Sequence, residues 1–96
     1  MKIIRESMAG SLESSDILVR VSPGKGSLDI TMSSIVSAQF GNAIQREVTQ
    51  TLGKLGVTDA VVSVEDKGAL DCVIRARVQA AVARATDATL EWSALS

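Results

Sequence analysis

The stretch of sequence that decides the fold is MAGSLESSDILVRV, residues 8–21. Its second half, residues 17–21, alternates apolar and other side chains with the period of two that is typical of a strand with one buried face. The polar residues 13–16 ahead of it have short side chains that hydrogen-bond to the local backbone, as turn residues do. The stretch therefore predicts a β-hairpin with Ser14 exposed at its tip.

The next elements towards the C-terminus are predicted to be a strand and a helix. A second turn at residues 23–26, PGKG, leads into alternating apolar positions at residues 28–32. Ser33 or Ser34 is expected to cap the helix that follows. The apolar side of this helix is one stripe of positions three or four residues apart, which are Phe40, Ile44, Val48, Leu52 and Leu55. Gly56 lies where such a helix commonly ends.

Residues 60–65 predict a further strand, and the segment after Gly68 allows two interpretations. As a helix, this segment would place Arg77 and Arg84 inside the arc formed by its apolar side chains. As a strand, it would have two distinct faces. One face would carry Leu70, Cys72, Ile74, Ala76 and Val78, and the other Asp71, Val73, Arg75 and Arg77.

The strand interpretation accounts better for the arginines, with residues 66–68 as a hairpin turn. It predicts a strand to about Val78 and a short Ala-rich helix to about Ala85, although the alanine content also suits one continuous helix. The predicted fold class is α+β. It comprises a hairpin, a third strand, a helix packed on one face of a small, mostly antiparallel sheet, a second hairpin and a short terminal helix.

Length and composition narrow the functions that the chain could perform. Its 96 residues fit one domain over residues 1–96, with residues 86–96 as a C-terminal tail. Ten Lys and Arg against 11 Asp and Glu leave a net charge of −1, which suits neither nucleic acid nor an anionic membrane surface. No histidine is present, and one cysteine cannot form an internal disulfide or a thiolate metal cluster. We expect a cytoplasmic, non-catalytic protein without a signal peptide, a membrane span or a metal site.

Four further features are candidates for chemistry. The hydroxyl of Ser14 has no base nearby in sequence, so another protein would have to catalyse its reaction. Cys72 is either a thiol for chemistry or, as we expect, a small buried residue on an apolar face. Arg75 and Arg77 could bind phosphate together, but more often such a pair is solvated and bonded to carboxylates such as Glu65 or Asp71. Trp92 is either a lid on the core or an anchor for a partner.

Three segments resemble the acyl carrier proteins of citrate lyase, the small gamma subunits of that enzyme. They are AGSLESSD with the following VRV at residues 9–21, QFGNAI at residues 39–44 and EDKGALDCVIRARV at residues 65–78. The resemblance extends over nearly the whole chain at matching length.

The resemblance implies a carrier function centred on Ser14. In that family, the serine of the Leu-Glu-Ser turn carries a covalent 2'-(5''-phosphoribosyl)-3'-dephospho-CoA through a phosphodiester. A separate holo-synthase installs this group, and an acetyl-ligating enzyme loads its thiol. The larger alpha and beta subunits then use acetyl and citryl groups on that thiol to cleave citrate to acetate and oxaloacetate, as in citrate fermentation. The family often has Gly after the modified serine, whereas this chain has Ser15, which adopts a left-handed turn only at a cost.

Two alternatives remain open at the level of sequence. The chain also resembles, less closely around residues 67–71, the carrier subunit of malonate decarboxylase, which uses the same prosthetic group. Alternatively, the chain is an unmodified module that only holds subunits together.

Overall fold

The computed structural model describes residues 2–34 and 38–86, and in the first helix it describes side chains from Asn42 onwards. Its elements are β1 (Ser7–Gly10), β2 (Ile17–Pro23), β3 (Leu28–Ser34), α1 (Ala38–Lys54), β4 (Ala60–Asp66) and α2 (Asp71–Ala85). The predicted α+β class is confirmed. Among the described residues, no helix is long and apolar enough to cross a membrane.

The sheet has the strand order β1-β2-β4-β3. β2 runs antiparallel to both β1 and β4, whereas β3 and β4 are parallel and joined through α1. A parallel pair needs a long crossover, and α1 provides it. The predicted first hairpin is confirmed, and β4 lies between the second and third strands.

One face of the sheet forms the core together with both helices. The strands turn alternate side chains inward, and the fully buried ones are the larger residues Ile17, Val19, Val21, Val62 and Val64. The predicted apolar stripe is buried at Ile44, Val48 and Leu52 of α1 and at Leu55, directly after the helix. The side chain of Phe40 lies outside the described residues.

The prediction of a fifth strand is wrong, because residues 71–85 form one helix and there is no second hairpin among the described residues. The buried residues of α2 are Ile74, Val78, Ala81, Val82 and Ala85, a set with helical spacing. Arg77 and Arg84 do not enter the apolar stripe, since the side chain of Arg77 reaches the carboxylate of Asp16 and that of Arg84 donates to the backbone carbonyl of Met8. Residues 67–70 therefore connect a strand to a helix.

The expected start of α1 also differs. Ser33 and Ser34 belong to β3, and α1 begins at Ala38. The hydroxyl of Ser34 donates to a carboxylate oxygen of Asp66 in β4 at 3.0 Å. Ser34 therefore helps to hold the ends of the two parallel strands together, while residues 35–37 lie outside the described part of the chain.

The loop that carries Ser14 lies at one end of the sheet. Gly10, Ile17, Ser34 and Asp66 all lie at one end of the sheet, as the register of pairing shows. The loop of residues 11–16, the connection 67–70 and the first turn of α2 meet at this end. At the opposite end, the backbone amide of Ile4 donates to the carbonyl of Ala85, which satisfies a terminal acceptor of α2.

Candidate functional site

The hairpin loop presents Ser14 to solvent, as predicted from the sequence. The amide of Asp16 donates to the carbonyl of Glu13 at 3.1 Å, which closes a β-turn with Ser14 and Ser15 at its centre. The φ angle of Ser15 is +66°, the left-handed region that the third residue of a type II turn requires. Ser15 therefore adopts the conformation that glycine would adopt at lower cost.

The carboxylate of Asp16 organises the loop. One oxygen, Oδ1, accepts the backbone amide of Ile17 at 2.7 Å, and the other, Oδ2, accepts the hydroxyl of Ser11 at 2.7 Å. Arg77 of α2 donates to both oxygens at 3.1 Å, with Nε on Oδ1 and Nη2 on Oδ2. Four hydrogen bonds therefore connect one side chain to both ends of the loop and to a helix.

These donors fix the protonation state of Asp16. The hydroxyl of Ser11, followed by the amide of Ile17 and the guanidinium of Arg77, lowers the pKa of the Asp16 carboxyl from its ordinary 3.8 to about 2, while desolvation opposes them. A carboxylate that is already saturated with donors and so weakly basic cannot remove a proton from Ser14 near neutral pH.

A second loop supports the first one. The amide of Ser15 donates to the carbonyl of Lys67 at 2.8 Å, and the amide of Lys67 donates to the carbonyl of Asp16 at 2.9 Å. The connection 67–70 is itself held by Asp66, which is only 1% exposed. Its carboxylate accepts the amides of Gly68 and Ala69 at 3.1 and 3.0 Å. The positive φ at Ser15 is thus held by contacts from outside the hairpin.

Gly10 allows Arg77 and the loop of residues 11–16 to approach each other closely. Its φ is +96°, and a Cβ on it would lie 1.8 Å from the carbonyl oxygen of Ile17 and 3.3 Å from Cδ of Arg77. No larger residue fits at this position without a shift of the backbone. The last residue of β1 is therefore part of the support of the loop.

This end of the molecule also exposes apolar surface. Leu12, in the loop, is 52% exposed, and Leu70, just before α2, is 70% exposed. Exposed large apolar side chains such as these are available for contact with a partner protein. Among the described residues, no three potential metal ligands cluster.

Comparison with known proteins identifies the family. Residues 4–85 match a family model described as ACP: Malonate decarboxylase delta subunit (MdcD). A citrate lyase acyl carrier protein of Pectobacterium carotovorum (strain PC1) is 55% identical over 96 residues, covering 99% of this chain and all of the relative. Relatives with that same description in Haemophilus influenzae (strain 86-028NP) and Albidiferax ferrireducens are 57% and 58% identical, each covering 99% of both chains.

The chain belongs to the citrate lyase acyl carrier protein family. The resemblance carried by the three sequence segments is thereby confirmed. Acyl carrier proteins are carrier subunits rather than catalysts, so the expectation of a non-catalytic chain is confirmed as well.

A solved structure has the same fold as this citrate lyase carrier family member. It is a chain in the crystal structure of a Pseudomonas malonate decarboxylase hetero-tetramer in complex with malonate, with a TM-score of 0.71. The alignment covers 90% of this chain and 93% of that chain at 20% identity, a likeness of fold. The malonate decarboxylase carriers are therefore a related family.

The remaining candidates have different outcomes in this carrier family member. Cys72 is exposed in the first turn of α2, so the expected burial is wrong, because that expectation required a strand. Arg75 and Arg77 are bonded to carboxylates as expected, but the partners are Glu47 and Asp16, on opposite sides of the helix. Thr86, the first residue of the proposed tail, is buried, whereas residues 87–96 with Trp92 lie outside the described residues.

Sequence reasoning missed the residues that support Ser14. In the sequence, Asp16 and Asp66 are assigned only to turns, and neither Gly10 nor Ser11 is singled out. Their signal is present in the two segments that resemble the family, residues 9–16 and 65–78, which contain all four positions and Arg77. Only the fold shows that these two segments face each other.

Proposed function

We propose that this chain is the acyl carrier subunit of a citrate lyase and that Ser14 is the attachment site of its prosthetic group. The observation that supports this most directly is an exposed serine on a turn that the rest of the fold holds in place. The family supports the carrier function. The contacts of the loop favour Ser14 over Ser11, because the hydroxyl of Ser11 donates to Asp16.

The geometry fits the covalent attachment of a bulky phosphodiester. The hydroxyl of Ser14 makes no hydrogen bond within the described part of the chain, and nothing there crowds its approach. When attached, 2'-(5''-phosphoribosyl)-3'-dephospho-CoA supplies a thiol that holds acetyl and citryl groups during the cleavage of citrate to acetate and oxaloacetate. The chain itself offers Ser14 from a rigid support and leaves catalysis to other proteins.

We infer the partners and the location of the chain from its carrier function. The chain would serve the alpha and beta subunits of citrate lyase, receive its group from a holo-synthase and be charged by an acetyl-ligating enzyme, all in the cytoplasm. The exposed leucines beside Ser14, Leu12 and Leu70, are available for these partners. One small carrier that visits several active sites raises the local concentration of its cargo at each of them.

The attachment site is tested by intact mass. The wild type, Ser14→Ala and Ser15→Gly are each produced together with the modifying enzymes. Ser15→Gly is the matched control, because it removes the neighbouring hydroxyl and suits the positive φ. We expect the wild type and the control to gain the mass of the group, and Ser14→Ala to keep the mass of the bare chain. Loading of Ser14→Ala would move the site to Ser11 or Ser15.

The identity of the group is tested by absorbance. The chain has one Trp and no Tyr, so its own near-ultraviolet absorption is weak. A dephospho-CoA brings adenine, which should dominate the spectrum of the protein after denaturation and desalting. A mass increase without the adenine band would indicate a different group. A wild type that stays bare would instead favour the unmodified interaction module.

A second candidate is the carrier of a malonate decarboxylase, which the family model and the shared fold favour. Since the same prosthetic group is expected in both, mass alone does not distinguish them. The larger subunits that co-purify with the tagged chain distinguish the two functions. Recovery of decarboxylase subunits in place of citrate lyase subunits would support this second function.

A further inference from the structure

Arg77 connects the core to the loop that carries Ser14. It lies 61 residues after Asp16 in the chain, yet its guanidinium makes a two-point contact with that carboxylate. The two parallel hydrogen bonds from the planar guanidinium fix the orientation of the Asp16 carboxylate as well as its distance from the helix. The single ammonium group of a lysine could not do both. Val78, the next residue, is fully buried, so Arg77 projects from a helix that the core holds.

The loop needs such support because its turn is strained. Ser15 has a φ of +66°, a left-handed conformation that is unfavourable for any residue other than glycine. Conformations of this kind persist where the surrounding structure over-determines them. Here the determinants converge on Asp16, which joins the turn through its backbone and Ser11, Ile17 and Arg77 through its carboxylate.

We propose that Arg77 is a positioning residue for the modification of Ser14. Acting through Asp16, it keeps residues 11–16 in the one conformation that the modifying enzyme recognises. This inference rests on the proposed function of Ser14. The two-point contact between Arg77 and Asp16 is the observation that carries it.

The step that this arrangement serves is the transfer of a phosphoryl-linked group to an alcohol. The oxygen of Ser14 forms a bond to phosphorus of an activated donor, a phosphoric anhydride of the cofactor. The anhydride P–O bond breaks, and the phosphate or pyrophosphate that leaves takes the electron pair. The hydroxyl proton passes to a base of the modifying enzyme, because the saturated carboxylate of Asp16 cannot accept it.

Loss of Arg77 should reduce binding rather than chemistry. Without it, the loop samples other conformations, and the enzyme binds only the competent fraction. Once bound in the competent conformation, Ser14 reacts as before. We expect Arg77→Ala to raise the KM for the apo-chain about tenfold, with kcat unchanged within about twofold, and Arg77→Lys to lie between it and the wild type.

Arg75→Ala is the matched control. Arg75 lies on the same helix, its side chain is also 42% exposed, and it contacts Glu47 of α1 at 2.9 Å. Both variants lose one arginine and one ion pair, but only Arg77 touches the loop. The experiment measures loading of purified apo-chains by purified holo-synthase and activated cofactor, followed as intact mass over time. We expect Arg75→Ala to match the wild type in both constants.

A double-variant cycle tests whether Arg77 acts through Asp16. In the Asp16→Asn background, Arg77→Ala should raise KM by a much smaller factor than in the wild type, because the contact is already weakened. An equal and additive rise in KM would instead mean that the enzyme contacts Arg77 directly, and would overturn the positioning role. A fall in kcat at unchanged KM, or equal behaviour of Arg75→Ala and Arg77→Ala, would also overturn it.

The outcomes separate this inference from the function on which it rests. If wild-type apo-chain is never loaded at Ser14, the proposed function fails. If it is loaded and Arg77→Ala is loaded equally well, only the positioning role fails.

Amide hydrogen exchange of the apo-chains measures the stability of the loop without the enzyme. We expect faster exchange at the amide of Ser15 in Arg77→Ala than in Arg75→Ala. Unchanged exchange there would contradict the proposed support.

Discussion

At the scale of single residues, the carboxylate of Asp16 holds the loop of Ser14 by hydrogen bonds. The side chain of Asp16 is 15% exposed and accepts hydrogen bonds from three other residues. In the sequence it is one polar residue of a turn. In the fold it is the acceptor around which the loop of Ser14 is built.

The lowered pKa of Asp16 predicts how stability depends on pH. A carboxyl whose pKa falls from 3.8 to about 2 on folding binds its proton more weakly in the folded state. Its stabilising contribution is therefore complete above about pH 4 and is lost as the pH falls through about 2. We expect the free energy of unfolding in urea to be higher for the wild type than for Asp16→Asn at about pH 5.5, and the difference to shrink towards about pH 2. A difference that does not depend on pH would contradict the stated pKa.

Because Cys72 is exposed, its replacement by alanine is not expected to lower stability as the loss of a buried side chain would. A buried cysteine would cost stability when it is truncated to alanine, but this thiol lies at the surface of α2. We expect Cys72→Ala to change the free energy of unfolding by no more than about 0.5 kcal/mol. The native apo-chain should react fully with a thiol reagent without denaturant, and since it has a single cysteine, the signal reports on this position alone. A thiol that reacts only after unfolding would contradict the exposed position.

At the scale of elements, β1 ends where three parts of the structure converge. Gly10 lies against the carbonyl of Ile17 and the aliphatic part of Arg77, so the strand, the loop and α2 meet at one residue without a side chain. The positive φ is a second reason for glycine at this position. Gly26, with a φ of +104°, shares only the second reason, since a Cβ added to it would meet no atom of the described residues within 4 Å.

These two glycines make a matched pair of variants. Both substitutions to alanine incur the cost of the positive φ, about 1 to 2 kcal/mol, but only Gly10→Ala adds a steric clash with backbone. We expect Gly10→Ala to lower the free energy of unfolding by about 3 kcal/mol or more and Gly26→Ala by clearly less. Urea unfolding of both variants at neutral pH makes the comparison. Equal losses would mean that the clash is relieved by movement of the loop.

The second helix begins without a capping side chain. Leu70 precedes it in an extended conformation, and Leu70 provides no side-chain hydrogen bond to the helix. Asp66 instead holds the residues ahead of it, and Asp71 places a negative charge in the first turn, where the helix dipole favours one. The connection that supports Ser15 is thus fixed by a buried carboxylate.

At the scale of the whole molecule, the architecture places the loop of Ser14 beside the start of α2. β2 pairs with β4, so the residues that follow β4 lie next to those that precede β2. α2 packs across β1 and β2, which brings Arg77 over the hairpin. The far end of α2 is tied to the N-terminal segment through Ile4. A helix held at its far end and along its length is a firm base for an arginine that supports a loop.

Local patterns in the sequence predict the four strands, the apolar stripe of the first helix and the exposed turn of Ser14. Alternation and helical spacing report which face of an element is buried, and these patterns are local. The same local information could not assign residues 69–78, because Leu70, Ile74 and Val78 are four residues apart. That spacing fits a period of two as well as it fits one helical turn.

Packing against the rest of the fold makes this segment helical and selects the carboxylate that each arginine binds. Periodicity states that a residue faces a partner but does not name the partner. Glu47 lies on α1 and Asp16 in the first hairpin, 28 and 61 residues from the arginines that they bind. The order of the strands, with β4 between β2 and β3, brings the Asp16 loop and the α2 turn together. Contacts between such distant segments depend on how the elements are arranged in space, which no local pattern of side chains encodes.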